Sequence, residues 1–291
     1  MPELPEVEVT RRRIAPFVVG RRIAKVRTTR KSYFFLTPPA RLERELPGRT
    51  VVELERRGKY LLARLDDGRR LLLHLGMTGQ LFVENASSVR LLSAATRASL
   101  TPEAQVSFVP DRHTHLRVEF DDGGPALFFR DVRKFGKVRL LGADGTDPRL
   151  EKLGVDALSA TGDELWAAAR KRKVAIKSLL LGQDVIAGIG NIYADEGLFL
   201  AGIRPRRAAN KVSRSECQSL VDAVKRVLLR SIETGGSSIS DYLQPDGSDG
   251  GYQDERRVYA RTGEPCPKCG TKIRRIVIGA RSTHFCPSCQ R

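Results

Sequence analysis

Four of the five cysteines crowd the last 26 residues as Cys266-Pro-Lys-Cys269 and Cys286-Pro-Ser-Cys289, with 16 residues between the pairs. Each C-x₂-C closes a tight knuckle that aims two thiolates at one point, and two knuckles complete a tetrahedral four-sulfur site. The paired spacing favours one Zn²⁺ over an iron–sulfur cluster, and either over four unligated thiols. A closed four-thiolate site is structural: it shapes the fold and leaves no open position for a reaction. The stretch from Lys272 to His284 fits two short strands around a turn at Gly279, a β-hairpin finger with Arg281 near its turn. There a guanidinium can grip phosphate bidentately, or simply stand in solvent. Cys217 makes the count odd, which argues against a disulfide framework.

The charge points the same way. Lys and Arg number 51 against 34 acidic residues, a net +17 with an isoelectric point near 10.1. Such an excess favours a polyanionic partner, nucleic acid ahead of anionic membrane. No apolar run approaches the ~20 residues of a membrane span, and the N-terminus has no signal-peptide pattern. A soluble intracellular protein is expected.

The first half reads as β-rich. Tyr60-Leu-Leu-Ala-Arg-Leu and Arg70-Leu-Leu-Leu-His-Leu flank Asp66-Asp67-Gly68, a hairpin signal. Leu116, Val118 and Phe120 alternate with polar residues before Asp121-Asp122-Gly123-Gly124, and Ala126-Leu-Phe-Phe follows. Residues 84–107, rich in Ser, Ala and Thr, read as an inserted loop. From about Gly162 the period becomes helical. A helix is expected over Val174 to Leu181, another from Asn191, and a third behind the capping box Ser213-Arg-Ser-Glu216. The third keeps an apolar stripe of Leu220, Val224, Val227, Leu228 and Ile232 until Gly235-Gly236. Residues 235–253, rich in Gly, Ser and Asp, are expected to form a mobile loop. The expected class is α+β and multidomain: a β domain over 2–150, a helical domain over 151–250 and the cysteine module over 251–291.

Two further segments carry chemistry. Ile186-Ala-Gly188-Ile-Gly190-Asn191 precedes a helix without the third glycine of a dinucleotide fingerprint. A helix start still offers unpaired N–H groups and a positive dipole end, and Asn191 adds a donor, so a DNA phosphate fits there. Capping alone also explains Gly-Asn. The chain opens Met1-Pro2-Glu3-Leu4-Pro5-Glu6-Val7-Glu8. A small second residue permits removal of Met1, leaving the secondary amine of Pro2 first in the chain. α-Amino groups titrate at about 7.7–8.0, so a useful fraction is neutral and able to form a Schiff base. Glu3 and Glu6 can then move protons or stabilise developing cationic charge. Taken alone, the octapeptide fits a frayed acidic terminus with helix-starting prolines better.

Together the octapeptide, the four-cysteine finger and Gly190-Asn191-Ile-Tyr-Ala closely resemble bacterial formamidopyrimidine-DNA glycosylases, which act on 8-oxoguanine. Arg57-Gly-Lys59-Tyr-Leu-Leu, Leu73-His-Leu-Gly-Met77-Thr-Gly-Gln-Leu, Arg112-His-Thr-His115 and Arg130-Asp-Val-Arg133-Lys-Phe135-Gly follow in the family's order, so the resemblance spans nearly the whole chain. It implies an N-terminal β-sandwich, a helical domain with a helix–two-turn–helix, and a zinc-binding β-hairpin finger. It also implies a DNA repair glycosylase and abasic-site lyase of the bacterial nucleoid, working as a monomer on damaged duplex DNA. Pro2 would attack C1′ of the damaged nucleotide, with Glu3 as acid/base residue and Lys59 assisting near the flipped nucleotide. The Schiff base would then undergo β- and δ-elimination. Arg281 would serve the catalytic site and, with Asn191, hold flanking phosphates; His115 and Lys177 would also contact DNA. Met77, Arg133 and Phe135 would fill the void left by the flipped nucleotide, which chemistry on a buried sugar carbon requires. In isolation these three read as a core Met, a surface Arg and a strand-end Phe.

Three departures from the family stand out. Residues 84–107 exceed the usual loop, Val132 stands where Pro is common, and Gly251–Tyr259, in the loop expected to cap the flipped base, is one residue short. Two alternatives remain: an endonuclease VIII-like enzyme for oxidised pyrimidines, and a catalytically silent zinc-dependent DNA-binding protein. Leu4 and Met77-Thr-Gly-Gln-Leu favour the purine enzyme over the first. The second would have no need of Pro2-Glu3.

Overall fold

The computed structural model of the chain describes residues 2–86, 108–239 and 242–291. Most of the inserted loop expected over 84–107 therefore lies outside the described residues. The chain forms two compact units, one of residues 1–147 with 235–251, the other of 148–234 with 252–291. This differs from three consecutive domains because the chain returns: 235–251 packs on the first unit, and the finger groups with the helices.

The first unit opens with helix α1 (Leu4–Ile14) and holds helix α2 (Pro39–Glu45) beside two antiparallel sheets. One orders β1 (Ile23–Thr28), β6 (Thr114–Phe120), β7 (Leu127–Asp131) and β5 (Gly79–Val83). The other orders β2 (Val51–Arg57), β3 (Tyr60–Leu65), β4 (Arg70–His74) and β8 (Lys137–Leu141). The two hairpins expected from Asp-Gly signals are β3–β4, with Gly68 at φ +82°, and β6–β7. Leu54, Leu61, Leu73, Leu116, Phe129 and Val138 belong to one buried cluster with Val7 and Ile14 of α1, so the sheets form a sandwich around a shared core.

The second unit contains α3 (Pro148–Glu151), α4 (Gly162–Ala169), α5 (Ile176–Leu181), α6 (Asn191–Leu200) and α7 (Arg214–Glu233), with a short parallel pair of β9 (Val155–Asp156) and β10 (Ile186–Ala187). The expected capping box is present on α7: Ser213 Oγ accepts the Glu216 N–H at 3.2 Å, and Glu216 accepts the Ser213 N–H at 2.8 Å. The predicted stripe from Leu220 to Ile232 is the buried face. At Gly197, a Cβ would overlap Val224, so α6 and α7 meet there only because the side chain is missing. The finger hairpin pairs β11 (Arg274–Ile278) with β12 (Arg281–Phe285), turning through Gly279 and Ala280 at φ +54° and +60°.

The loop expected over 235–253 is more enclosed than its composition suggests. Tyr242, Leu243 and Gln244 are buried, and Leu243 packs with Phe82, Phe108 and Phe128. A few anchoring side chains outweigh the surrounding glycines and serines.

Candidate active site and DNA-contact surfaces

Helix α1 starts sharply. Glu3 caps it in extended backbone, and Pro5 sits in the first turn, where the helix needs no N–H. Glu6 reaches back so that its Oε2 accepts the Glu3 N–H at 2.8 Å. Its Oε1 accepts the N–H of Ser237 at 2.9 Å. Gly236, at φ +87°, permits that approach: a Cβ would stand 2.9 Å from the Tyr242 ring and 3.3 Å from Glu6 Cγ. Pro2, Glu3 and Glu6 are all buried, Glu3 with 2% exposure. Pro2 is thus held one residue before a rigid helix start, with two carboxylates in the same segment.

Glu8 ties this helix to the turn that carries Lys59. It accepts Arg11 at 2.8 Å, Arg12 at 2.7 Å and Arg56 at 3.1 Å. Burial alone would push its carboxyl up, but the hydrogen bonds from Arg11 and Arg12 and the charges of Arg11 and Arg56 prevail and bring it down to about 2. Arg56 also donates to the Gly58 carbonyl at 3.0 Å. Gly58, at φ +57°, and Lys59 form the two-residue turn closed by the Arg57–Tyr60 pair. The sequence reading did not pick out Glu8. Its spacing to Arg11 and Arg12 was the available signal.

A second cluster of the first unit gathers the three expected void-filling residues on neighbouring turns. A Cβ on Gly76 (φ +64°) would overlap the backbone of Phe135, so the Met77 turn rests directly on the Arg133–Phe135 turn. Asp131 organises the latter from beneath, accepting the Thr78 hydroxyl, the Arg133 N–H at 3.2 Å and the Gly136 N–H at 2.6 Å. Arg133 and Phe135 are exposed, the guanidinium 4.6 Å from the ring centroid, while Met77 is half-buried. Val132 is exposed in the same turn.

His115 is placed differently from expectation. It is buried, with Nε2 2.9 Å from the Asp131 carbonyl and Nδ1 3.0 Å from Thr29 Oγ1. A carbonyl only accepts, so Nε2 carries the proton and Thr29 donates to Nδ1. Burial pushes its pKa down, which keeps the ring neutral. His115 presents no donor to a phosphate and instead supports the strand end before Arg133.

In the second unit, Asn191 is the first residue of α6, behind Gly190 as cap. Its Nδ2 donates to the Ser282 carbonyl at 3.0 Å. Lys177 has no exposed surface: its Nζ lies 2.6 Å from Asp195 Oδ1 and donates to the Ser282 carbonyl and Thr283 Oγ1, both at 2.9 Å. Asp195 Oδ2 accepts the His284 N–H at 2.8 Å and its Nδ1–H at 3.1 Å. Direct DNA contact by Lys177 therefore has no exposed ammonium to rest on. An ammonium leaving water needs a paired carboxylate, and Asp195 supplies it. These groups pin β12 one residue beyond Arg281, which is exposed beside the hairpin turn. Sequence reading missed Asp195 and His284, which have no spacing that marks them.

The Sγ atoms of Cys266, Cys269, Cys286 and Cys289 all lie within 4.8 Å of one another. Cys266–Cys289 is 3.9 Å and Cys269–Cys286 3.5 Å. A tetrahedron with Zn–S near 2.3 Å has sulfur–sulfur edges of roughly 3.8 Å, so the four thiols fit one structural zinc. Cys217 is buried in α7, where burial pushes its thiol up to about 11, and it stands outside the group.

A β-sandwich opening on a buried, carboxylate-flanked proline, with a helical unit that pins a zinc finger, defines a DNA repair glycosylase. Residues 1–138 match the formamidopyrimidine-DNA glycosylase N-terminal domain, 153–242 its H2TH domain, and 263–291 the zinc finger found in FPG and IleRS. The chain belongs to the formamidopyrimidine-DNA glycosylase family. It is 45% identical over 297 residues to a formamidopyrimidine-DNA glycosylase of Burkholderia cenocepacia, with 100% of both chains covered. Among solved structures, it resembles the Lactococcus lactis Fpg bound to abasic-site DNA (TM-score 0.85, 35% identity, 100% of both chains). It also resembles MutM bound to DNA containing carbocyclic 8-oxo-G (TM-score 0.83, 35% identity, 100% of both chains). These relatives favour neither the oxidised-pyrimidine nor the silent alternative.

Proposed function

We propose that the protein excises oxidised purines, 8-oxoguanine and formamidopyrimidines, from duplex DNA and cuts the strand through a Schiff base on Pro2. The observation that carries this reading is the buried start of α1, where Pro2 precedes a cap made by Glu3 and Glu6. With Met1 removed, the Pro2 nitrogen is a secondary amine whose lone pair forms the bond to C1′ while the bond to the base breaks. The base departs with a proton, and Glu3 handles proton transfer at the sugar. Opening of the sugar ring gives an iminium, which acidifies C2′. The 3′ phosphate then leaves by β-elimination and the 5′ phosphate by δ-elimination, and water frees the proline.

Lys59, in the turn tied to α1 through Glu8 and Arg56, assists at the flipped nucleotide. Asn191 and Arg281 hold the flanking phosphates, and Arg281 also serves the catalytic site. Met77, Arg133 and Phe135 occupy the vacated stack. His115 and Lys177 act as positioning residues beneath the two contact surfaces. The zinc is structural and takes no part in bond making. We further read the protein as a monomer acting in the bacterial cytoplasm at the nucleoid. No described helix is long and apolar enough to cross a membrane.

Borohydride reduction of the reaction on 8-oxoguanine duplex tests the assignment. The expected product is DNA covalently attached to the N-terminal peptide through Pro2, and retention of Met1 or Pro2→Gly removes it while lesion-DNA binding persists. An adduct mapped to Lys59 by mass spectrometry would overturn Pro2 as nucleophile.

A further inference from the structure

Tyr33 is the most exposed aromatic side chain among the described residues, at 58%, yet it is held firmly. The next two residues anchor it: Phe34 is fully buried against Phe129 and His115, and Phe35 bridges to Val138 in β8. The Val138 N–H donates to the Phe34 carbonyl at 3.0 Å, and the Leu36 N–H to the Val138 carbonyl at 2.9 Å. From this fixed base the Tyr33 hydroxyl donates to the Arg133 carbonyl at 2.6 Å. Its ring lies 6.5 Å from Phe135, and Lys137 Nζ stands 4.9 Å from its centroid.

That carbonyl belongs to the peptide joining Arg133 to Lys134, and Lys134 is a non-glycine residue at φ +58°. A left-handed lysine is disfavoured and persists where its surroundings hold the peptide from more than one side. Asp131 holds this turn from within through the Arg133 and Gly136 N–H groups. Tyr33 holds it from outside through the oxygen that sets the plane preceding Lys134. The orientation of that peptide sets the backbone that leads from Arg133 to Phe135.

We propose that Tyr33 is a positioning residue for entry into the base stack: its hydroxyl fixes the Arg133–Lys134 peptide and so the presentation of Arg133 and Phe135. This rests on the void-filling role given to those residues above. A group that acts by displacing a paired base matters where pairing is intact and little where the lesion is already unpaired.

The test is single-turnover excision of 8-oxoguanine from a fully paired duplex and from the same sequence with the lesion in an unpaired bulge. It compares wild type, Tyr33→Phe and Phe135→Ala, with thermal unfolding of each. Tyr33→Phe keeps the ring and removes one hydrogen bond, so excision from paired duplex should slow about fivefold, with unfolding unchanged. Excision from the bulge should stay within about twofold of wild type. Equal losses on both substrates, or none on either, would overturn the role of Tyr33 if Phe135→Ala still discriminates between them. If Phe135→Ala does not discriminate, the void-filling reading itself fails and takes this one with it. Failure of wild type to excise from either substrate would sink the proposed activity.

Discussion

Two buried carboxylates, one in each unit, are held by different chemistry. Glu6 takes backbone N–H groups, from Glu3 and Ser237. Asp195 takes the ammonium of Lys177 together with the backbone and ring N–H groups of His284. The two backbone N–H groups fix the Glu6 carboxylate within the segment that carries Pro2. A buried lysine neutralises its carboxylate, and the pair serves to pin the finger beside Arg281. In our reading the carboxylates at the start of α1 serve the reaction, and Asp195 with Lys177 serves the grip on DNA.

The largest test of this contrast is Glu3→Gln. General acid–base groups contribute about 10²–10⁴-fold, so single-turnover base excision should fall by that order while lesion-DNA affinity holds. Equal loss of affinity would place Glu3 in the grip and erase the distinction. Asp195→Asn should do the reverse. Leaving Lys177 buried without its partner costs about 3–5 kcal/mol, visible as a lower unfolding temperature and weaker DNA binding, with cleavage of bound DNA close to wild type.

Glu8 sharpens the comparison through pH. Its folded pKa of about 2 lies below the unfolded value of 4.5. Its stabilisation is therefore complete above pH 4.5 and is lost as pH falls through that value towards 2. The whole effect is at most about 3.5 kcal/mol, each pKa unit corresponding to about 1.4. Unfolding followed across this window should show a slope that Glu8→Gln reduces. The smallest effect belongs to Arg281→Ala, which should shallow the salt dependence of DNA affinity by about 0.9 in log–log slope, one phosphate contact. An unchanged slope would mean that the pinned finger presents nothing to the backbone.

Legibility in the sequence followed the range of the interactions. The zinc knuckles, the Ser213–Glu216 box, the Asp66–Gly68 turn and the helix start at Asn191 are written within a few residues, and each was placed correctly. Burial over long separations was not readable. Lys177 and His115 carry the residue types of DNA contacts, yet each is enclosed by partners at least 16 positions away, Asp195 and Ser282 for the lysine and Thr29 and Asp131 for the histidine. The glycines of 235–251 advertised a loose loop, whereas Gly236 is small so that the chain can close on Glu6. The same residue type signals opposite things, and only the neighbour decides.

The finger is pinned largely through main-chain groups. Lys177 and Asn191 both seek the carbonyl of residue 282, and Asp195 takes the N–H of residue 284. Glu196 likewise gathers the N–H groups of Arg257, Val258 and Tyr259. A main-chain partner is supplied by almost any amino acid, so evolution is free to rewrite one side of each contact while the other stays put. Pairwise covariation should therefore be nearly silent at these joints, and grafting a foreign finger onto this helical unit should require matching backbone geometry far more than matching sequence.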